Sequence, residues 1–456
     1  MRAGIASAFG AVSGALGNAG AWFLAQAMQA DSKVAGKVWE FASKPFFVGS
    51  DAAHLAERKV SDPGTKDEYY AVSKANGDYL QYTFTADNRL EADEFPVEIA
   101  NTLVHLAESV GGLSLPNLEI LGLGHIAQIK GVRAMGQPSG CFGRLTFASA
   151  GKDSLVGYWE MSGVIQHEGT AVCRSGVPTS IVDMIEQVFG RKSIGREVAL
   201  MGAMLRRYGV EHMATGAPIL WTDGGNTCFL GMHESIMAVS EFHHRCREVR
   251  KAAKAAGMFL RVVAQPVSGG HDRLLPHGGR KDCVHEPTGV TMFDVLSRSG
   301  QIAMGVGKVY DLFSGRGFTK AFPTASGIAG LEDVVGMLSK VPRGLLAASV
   351  DLWSEEPTQM ATVLQEFDRR LPELFEKLRP GDMVIVTGDH GRDGSLTGKT
   401  STREYVPLCV TGPKLAQGVD LGTRVTAADV GQTIAEALGA ERLLNGESFL
   451  DALKSG

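Results

Sequence analysis

The stretch that decides the fold reads VIVTGDHG at residues 384–391 and STREYVP at residues 401–407. The apolar run at its start predicts a buried strand, and Gly388 follows it directly. Asp389 and His390 then stand side by side at the carboxyl end of the strand, where open α/β sheets bind their ligands. A carboxylate oxygen beside an imidazole nitrogen is a mixed donor pair that suits manganese or zinc. The stretch therefore predicts a candidate metal site at one edge of a sheet.

The same pair of residues has a simpler structural interpretation. An aspartate at the end of a strand often accepts hydrogen bonds from loop amides in an Asx-type turn. Asp389 and His390 would then shape the loop and bind nothing.

The rest of the chain alternates strand and helix patterns around this stretch. Further strands are predicted in four apolar runs, at residues 259–264, 301–306, 345–350 and 405–410. Helical patterns cover 359–378, with an interruption at Pro372, and 427–438. Strands that alternate with helices at this spacing predict an α/β fold with a doubly wound, mostly parallel sheet covered on both faces.

Composition limits the classes of function. The 456 residues are 44% hydrophobic and 21% charged, which is enough for a large core and more than one domain. The net charge of -5 and the lack of dense Lys/Arg runs argue against a nucleic-acid partner. The six cysteines form no CxxC pair, so the sequence favours a reducing compartment over a zinc knuckle or disulfide framework.

The amino terminus carries no charged side chain from residue 3 to residue 30. Three interpretations stay open for this run: a membrane or assembly anchor, an organellar presequence, and a buried helical hairpin arm. The length of the uncharged run slightly favours the anchor, and a mitochondrial, membrane-associated location over a cytoplasmic one.

Several blocks between residue 100 and the carboxyl terminus resemble the phosphopentomutases of the alkaline phosphatase superfamily. They include NTL at 101–103, LPNL at 115–118, GKDS at 151–154, GYWE at 157–160, FDRRLPE at 367–373 and the segment 384–407. The resemblance implies an alkaline phosphatase-like core at 76–164 and 281–456, an inserted α+β cap at 165–280, and a helical extension at 1–75. It places Ser154 where the family has its phosphorylated nucleophile, and it implies two manganese ions in an active enzyme.

The chain departs from the family pattern at most of the metal-ligand positions. No Asp-Ser-x-Gly-x-Gly motif opens the core, and Asp87 is the nearest candidate for its aspartate. Trp353 stands in place of another aspartate, and Ser401 in place of a second histidine. An indole ring supplies no lone pair to a metal ion, so Trp353 is not a metal ligand. Asp389 and His390 match ligands of the family pattern, and Asp351 is the candidate replacement for the missing aspartate.

The predicted cap shows similar losses among the residues that resemble substrate ligands. Gln265 replaces an arginine of the family, and Gly225 replaces an aspartate. A glutamine cannot make the bidentate, charged contact with a phosphate that arginine makes. Arg280 and Asp282 still resemble the family's Arg-x-Asp pair and are the candidate substrate-binding residues.

Two hypotheses follow. The favoured one is a catalytically degenerate phosphopentomutase-like protein that needs no cofactor and serves as a structural subunit of a larger, mitochondrial membrane complex. Its partners would be protein subunits, with membrane contact through residues 3–30. The alternative is an active metal-dependent phosphopentomutase with two Mn ions, which interconverts ribose 1-phosphate and ribose 5-phosphate and binds a sugar phosphate only where its site is intact.

Overall fold

The computed structural model describes residues 100–454 except 152, 168–172, 174, 259, 271–272, 325–326, 342, 353, 355, 396–400 and 403. It also describes the backbone of four strands between residues 59 and 92. The candidate ligand Asp87, the run at 3–30 and the indole of Trp353 lie outside the described residues. No helix in the described part of the chain is long and apolar enough to cross a membrane.

Seventeen strands are described, and we number them in chain order. They are β1 (Lys59–Ser61), β2 (Glu68–Ser73), β3 (Tyr79–Phe84), β4 (Leu90–Ala92), β5 (Cys141–Leu145), β6 (Ile194–Val198), β7 (Ile219–Thr222), β8 (Thr227–His233), β9 (Arg261–Gly270), β10 (Arg273–Pro276), β11 (Lys281–Cys283), β12 (Ile302–Val306), β13 (Lys320–Phe322), β14 (Gly344–Ala348), β15 (Val384–Thr387), β16 (Val406–Thr411) and β17 (Asp420–Arg424).

Twelve α-helices are described over the same residues. They are α1 (Thr102–Ser109), α2 (Pro116–Ile120), α3 (Leu123–Ile126), α4 (Ser154–Met161), α5 (Thr179–Phe189), α6 (Met201–Thr215), α7 (Val239–Ala255), α8 (Met292–Arg298), α9 (Val309–Leu312), α10 (Gly327–Met337), α11 (Pro357–Phe375) and α12 (Ala428–Ala437).

The strands form four sheets. β1 to β4 make an antiparallel meander, and β6 to β11 make the sheet of the inserted region, in which β10, β9, β8, β7 and β6 are neighbours in that order. The core holds a parallel sheet, β13-β12-β14, and a mixed sheet, β15-β16-β5-β17. In the mixed sheet β16 runs antiparallel to both β15 and β5, whereas β17 is parallel to β5.

Helices cover both faces of the two core sheets. One apolar cluster joins residues of β5, β14 and β16 to α4, α8 and α12, and a second joins β15 to α1, α2, α10 and α11. The inserted region has separate apolar clusters between its sheet and helices α5, α6 and α7. These layers confirm the predicted fold class, an alkaline phosphatase-like α/β core with an α+β insertion.

One predicted helix differs from the observed one. α11 continues through Pro372 to Phe375 instead of breaking. Proline has no N–H for the carbonyl four residues earlier, and that oxygen of Asp368 instead accepts a hydrogen bond of 2.9 Å from the side-chain amide of Asn117.

In the amino-terminal part, the described residues between 59 and 92 are strands and not the helices expected of an extension over 1–75. The predicted boundaries of the domains stay predictions. β11 pairs with β9, so the chain leaves the sheet of the inserted region only after Cys283.

Candidate active site

Ser154 is the first residue of helix α4 and is 5% exposed. Asp153 caps the helix, since its carboxylate accepts hydrogen bonds from the backbone N–H groups of Leu155 at 2.7 Å and Val156 at 3.3 Å. The hydroxyl of Ser154 thus lies at the positive end of the helix dipole, where negative charge on an oxygen is stabilised.

Helix α4 packs directly against the loop after β15. A Cβ atom added at Gly157 would overlap the backbone oxygen of Asp389, so only glycine permits this close approach. The approach brings the first turn of α4 to the Asp389-His390 pair. Ser154 and His390 are 236 residues apart in sequence, and their side chains meet here.

Ser154 Oγ lies 3.1 Å from His390 Nε2. His390 Nδ1 lies 2.7 Å from the carbonyl oxygen of Gly391, a contact in which the ring nitrogen has to donate. Assigned from that hydrogen bond, Nδ1 carries a proton and Nε2 faces the serine hydroxyl. His390 is therefore placed to accept the proton of Ser154 or to bind a cation at Nε2.

Lys308 approaches Ser154 from the other side. It follows β12 after a turn at Gly307, whose φ of 76° is unfavourable for any residue with a Cβ atom. Ser349, just after β14, accepts a 2.7 Å hydrogen bond from the backbone N–H of Lys308 and fixes the turn. The ammonium group then lies 3.3 Å from Ser154 Oγ. The serine hydroxyl has a base on one side and a cation on the other.

Asp389 is buried beside these groups, and its Oδ2 has no hydrogen-bond partner among the described residues. Burial raises the pKa of this carboxyl. The charges of His390 and Lys308 lower the pKa by more than burial raises it, so the pKa lies below its usual value. Asp389 is thus an ionised carboxylate with one oxygen free to accept a cation or a proton donor.

Asp351 and Arg280 lie on the open side of the same site. The side chain of Asp351 is 53% exposed, and its Oδ2 lies 3.7 Å from Arg280 Nη1. The positive charge of Lys308, followed by that of Arg280, lowers the pKa of Asp351. Both carboxylates near Ser154 are therefore ionised at neutral pH.

Asp282 holds two arginines through one buried carboxylate. Its Oδ1 accepts a 2.8 Å hydrogen bond from Arg261 Nε, and its Oδ2 lies 3.2 Å from Arg280 Nε. Burial alone would raise the pKa of Asp282, but Arg261 and then Arg280 lower it well below its usual range. Asp282 thus acts by positioning Arg280. Of the two candidate substrate-binding residues, Arg280 is the one that faces Asp351.

A cavity of about 1090 Å³ joins these side chains. Polar residues at its wall include Asp153, Ser154, Asp223, Arg261, Arg280, Lys308, Asp351, Asp389, His390 and Ser401. Sequence reasoning did not single out Lys308, Arg261 or Asp223. The sequence pattern at Lys308 is the same as at Asp389: a polar residue follows a glycine at the end of a strand. Arg261 has no such pattern and differs from its neighbours only by its charge in an apolar run.

The inserted region retains an acid at the site despite Gly225. Asp223, two residues before it, lines the cavity and contributes to the pKa shifts of Asp153 and Arg261. Gln265 does not face the cavity, since its side-chain amide donates to the backbone oxygens of Pro266 and His277. The family's arginine position is thus filled by a residue that holds its own loop.

The residues present fit a metal ion only in part. Asp389 offers an unpartnered oxygen and His390 its Nε2 nitrogen, and carboxylate oxygen and imidazole nitrogen are donors of the kind manganese accepts. Among the described residues, however, no group of three or more His, Cys, Asp or Glu side chains converges. These residues do not make the two-ion set implied by the resemblance, so no chemical step is assigned to a metal ion here.

The chain is similar to known phosphopentomutases and matches one broader family model. The family model of the metalloenzyme superfamily matches residues 353–442. A phosphopentomutase of Carboxydothermus hydrogenoformans is 37% identical over 358 residues, which are 77% of this chain and 92% of the relative. A phosphopentomutase of Desulfitobacterium hafniense is 34% identical over 369 residues, 80% of this chain and 95% of the relative. One of Alkaliphilus metalliredigens is 33% identical over 365 residues, 79% of this chain and 94% of the relative.

Proposed function

The chain belongs to the phosphopentomutase family, and from this we propose that it moves a phosphoryl group between the 1 and 5 positions of ribose phosphate through Ser154. The observation that carries the proposal is the environment of the Ser154 hydroxyl, which lies at a helix amino terminus between His390 Nε2 and Lys308 Nζ. This proposal takes the active-enzyme hypothesis in preference to the degenerate one.

An isomerisation that relocates a phosphoryl group needs a residue that carries the group in between. Ser154 suits that role because His390 accepts its proton as the hydroxyl attacks phosphorus. As the serine oxygen bonds to phosphorus, the bond between phosphorus and O1 of the sugar breaks, and the proton passes from His390 to O1. In the second step the 5-hydroxyl of the sugar attacks the phosphoserine and gives its proton to His390, the bond between Ser154 Oγ and phosphorus breaks, and the serine oxygen takes the proton back.

The cations of the cavity suit the charge of a phosphoryl group. Lys308 lies beside the serine oxygen, and Arg280 lies at the open side, where a sugar phosphate would enter. Lysine and arginine stabilise the charge on the non-bridging oxygens during transfer.

The test is a mutase assay with ribose 1-phosphate and purified full-length protein in added Mn. The Ser154→Ala variant is expected to lose turnover by at least about three orders of magnitude, because the carrier oxygen is gone. Ser297→Ala, which changes an exposed serine on α8, serves as the matched control. Turnover that survives Ser154→Ala would refute the role of Ser154, and a wild-type protein without turnover would refute the proposed activity.

A second proposal keeps the structural role, and the small set of metal donors favours it. Here the chain is a subunit of a protein assembly, anchored through residues 3–30, and turns over no substrate. Purification from native material should then recover partner proteins in fixed stoichiometry, and deletion of residues 1–30 should release them. A metal-loaded, active protein recovered alone would contradict this proposal.

A further inference from the structure

The core sheet is open between β14 and β15. Within the described residues β14 pairs only with β12, and β15 pairs only with β16. Each strand therefore presents one row of peptide N–H and C=O groups without a neighbouring strand. Such rows inside a core are costly, because buried peptide groups need hydrogen-bond partners.

The apolar side chains along this opening are only partly buried. Residues 344–347 of β14 and 384–387 of β15 all have intermediate exposure. By contrast, Leu408, Cys409 and Val410 of the adjacent β16 are at most 1% exposed. Neighbouring strands of one core thus differ in burial, and the difference lies at the opening.

The opening has the shape of a missing strand. The cavity of about 1090 Å³ is lined along β14 and β15 and reaches the helices on both faces of the sheet. Leu118 and Leu364 lie on one face and Met292 and Phe293 on the other. A gap that passes through the sheet layer from one helical layer to the other is filled by a strand and not by a side chain.

The direction of that strand follows from the site. Asp351 follows β14 and Asp389 follows β15, and both residues line the same cavity together with Ser154. β14 and β15 therefore run in the same direction, with both carboxyl ends at the site. A strand between them is parallel to both, buried on both faces and consequently apolar throughout.

The described chain begins at the mouth of this opening. Residues 100–103 line the same cavity, and two carboxylates hold them there. Asp393 accepts a 2.8 Å hydrogen bond from the backbone N–H of Asn101, and Glu404 accepts one of 2.8 Å from that of Thr102. The segment that precedes residue 100 is thus tethered beside the gap, which makes it the nearest source of a strand.

One run in that segment matches the gap. β1 to β4 already pair with one another, which leaves residues 1–58 and the segments 62–67, 74–78, 85–89 and 93–99, each of which carries charged residues. Residues 45–50 read PFFVGS, an uncharged run that contains two phenylalanines and a valine. It is one residue longer than β14 and has a proline at its first position, where a strand tolerates one. The other apolar run, AWFLA at 21–25, is rich in helix formers. We propose that residues 45–50 insert between β14 and β15, parallel to both, and complete the core sheet.

Hydrogen exchange of the full-length protein tests this proposal. Peptides that span 344–348 and 384–387 should be protected in the wild type, and Phe47→Asp should raise their exchange rate by at least about tenfold. The strand 261–270 of the inserted region should keep its protection in every variant and reports that the fold persists. Phe41→Asp, which changes the same residue type outside the run, should leave all three peptides unchanged.

The other outcomes overturn the proposal. Fast exchange of both strands in the wild type means that the gap stays open. If Trp22→Asp raises the exchange rate of these strands and Phe47→Asp does not, the gap is filled by residues 21–25. Protection that rises with protein concentration assigns it to a second copy. A photo-reactive benzoylphenylalanine at position 47 gives a readout that needs no destabilising variant: cross-links to β14 or β15 are expected, and cross-links elsewhere refute the insertion. Neither measurement involves turnover, so the result is separate from the proposed activity.

Discussion

Replacement of Glu160 by glutamine tests how helix α4 is held in place. The Glu160 side chain is fully buried, and its carboxylate accepts four hydrogen bonds. The backbone N–H of Ala148, the hydroxyl of Thr426 and the backbone N–H of Ala427 bind Oε1 at 2.7, 2.7 and 3.1 Å. The backbone N–H of Ser149 binds Oε2 at 2.7 Å. One carboxylate therefore joins α4, the loop after β5 and the start of α12.

The magnitude follows from the donor count. In Glu160→Gln the amide NH₂ has to face one backbone N–H, and a buried N–H without an acceptor costs about 1–3 kcal/mol. The remaining three bonds lose their charge assistance, at about 0.5–1 kcal/mol each. We therefore expect a loss of about 3–5 kcal/mol in the free energy of unfolding, a large part of the stability of a typical domain.

Urea unfolding followed by tryptophan fluorescence measures this loss, since Trp159 is buried in the same helix. Glu436→Gln, which changes an exposed glutamate on α12, is the matched control and should be near neutral. A loss below about 1 kcal/mol in Glu160→Gln would refute the reasoning, because it would mean that the four donors find other acceptors.

Three further variants test the site and the fold. Gly157→Ala adds a Cβ atom against the loop after β15 and should lower kcat by at least about tenfold in the mutase assay, because the contact positions the serine hydroxyl. Asn117→Ala leaves a buried carbonyl unpaired and should destabilise the protein by about 1–2 kcal/mol in urea, and Pro372→Ala should recover part of that loss by restoring the helical N–H. The hydrogen bond from Lys192 is the main cause that lowers the pKa of Glu186 from 4.5 to about 2. Glu186 should therefore stabilise the fold fully above pH 4.5 and lose that contribution as the pH falls toward 2. Urea unfolding of the wild type and of Glu186→Gln over a pH series measures this contribution.

Each of these variants has an outcome that contradicts it. Gly136→Ala, which meets no neighbouring atom, is the control glycine, and equal effects at both positions would remove the argument from close approach. Additive losses for Asn117→Ala and Pro372→Ala would show that the two residues do not share one carbonyl. A stability difference for Glu186→Gln that persists unchanged at pH 2 would contradict the lowered pKa.

Much of the core could be predicted from local patterns. The runs at β12, β14, β15 and β16 are apolar because a strand covered on both faces has no solvent side, and this pattern is visible in the sequence. Helix ends were less predictable. In α11 the donor that Pro372 lacks is supplied by Asn117, which is more than 200 residues away in the chain.

The site divides in the same way. The Asp389-His390 pair at a strand end and the serine at the start of α4 were visible as motifs. The partners that give them chemistry were not, since Lys308 lies 154 residues from Ser154 and reaches it only through the turn at Gly307. The carboxylate of Asp282 appeared as a substrate ligand, whereas in the fold it holds Arg280 and the buried Arg261.

The sequence by itself determined the family, the order of strands and helices, and the residues that end the strands at the site. These features depend on short-range periodicity and on motifs that survive within a few residues. Only the tertiary structure decided which charges surround Ser154. It also decided that, among the residues it describes, one oxygen of Asp389 lacks a partner and no strand lies between β14 and β15. The reason is physical: hydrogen bonds, pKa shifts and strand pairing depend on distances between residues far apart in the chain, and folding alone sets those distances.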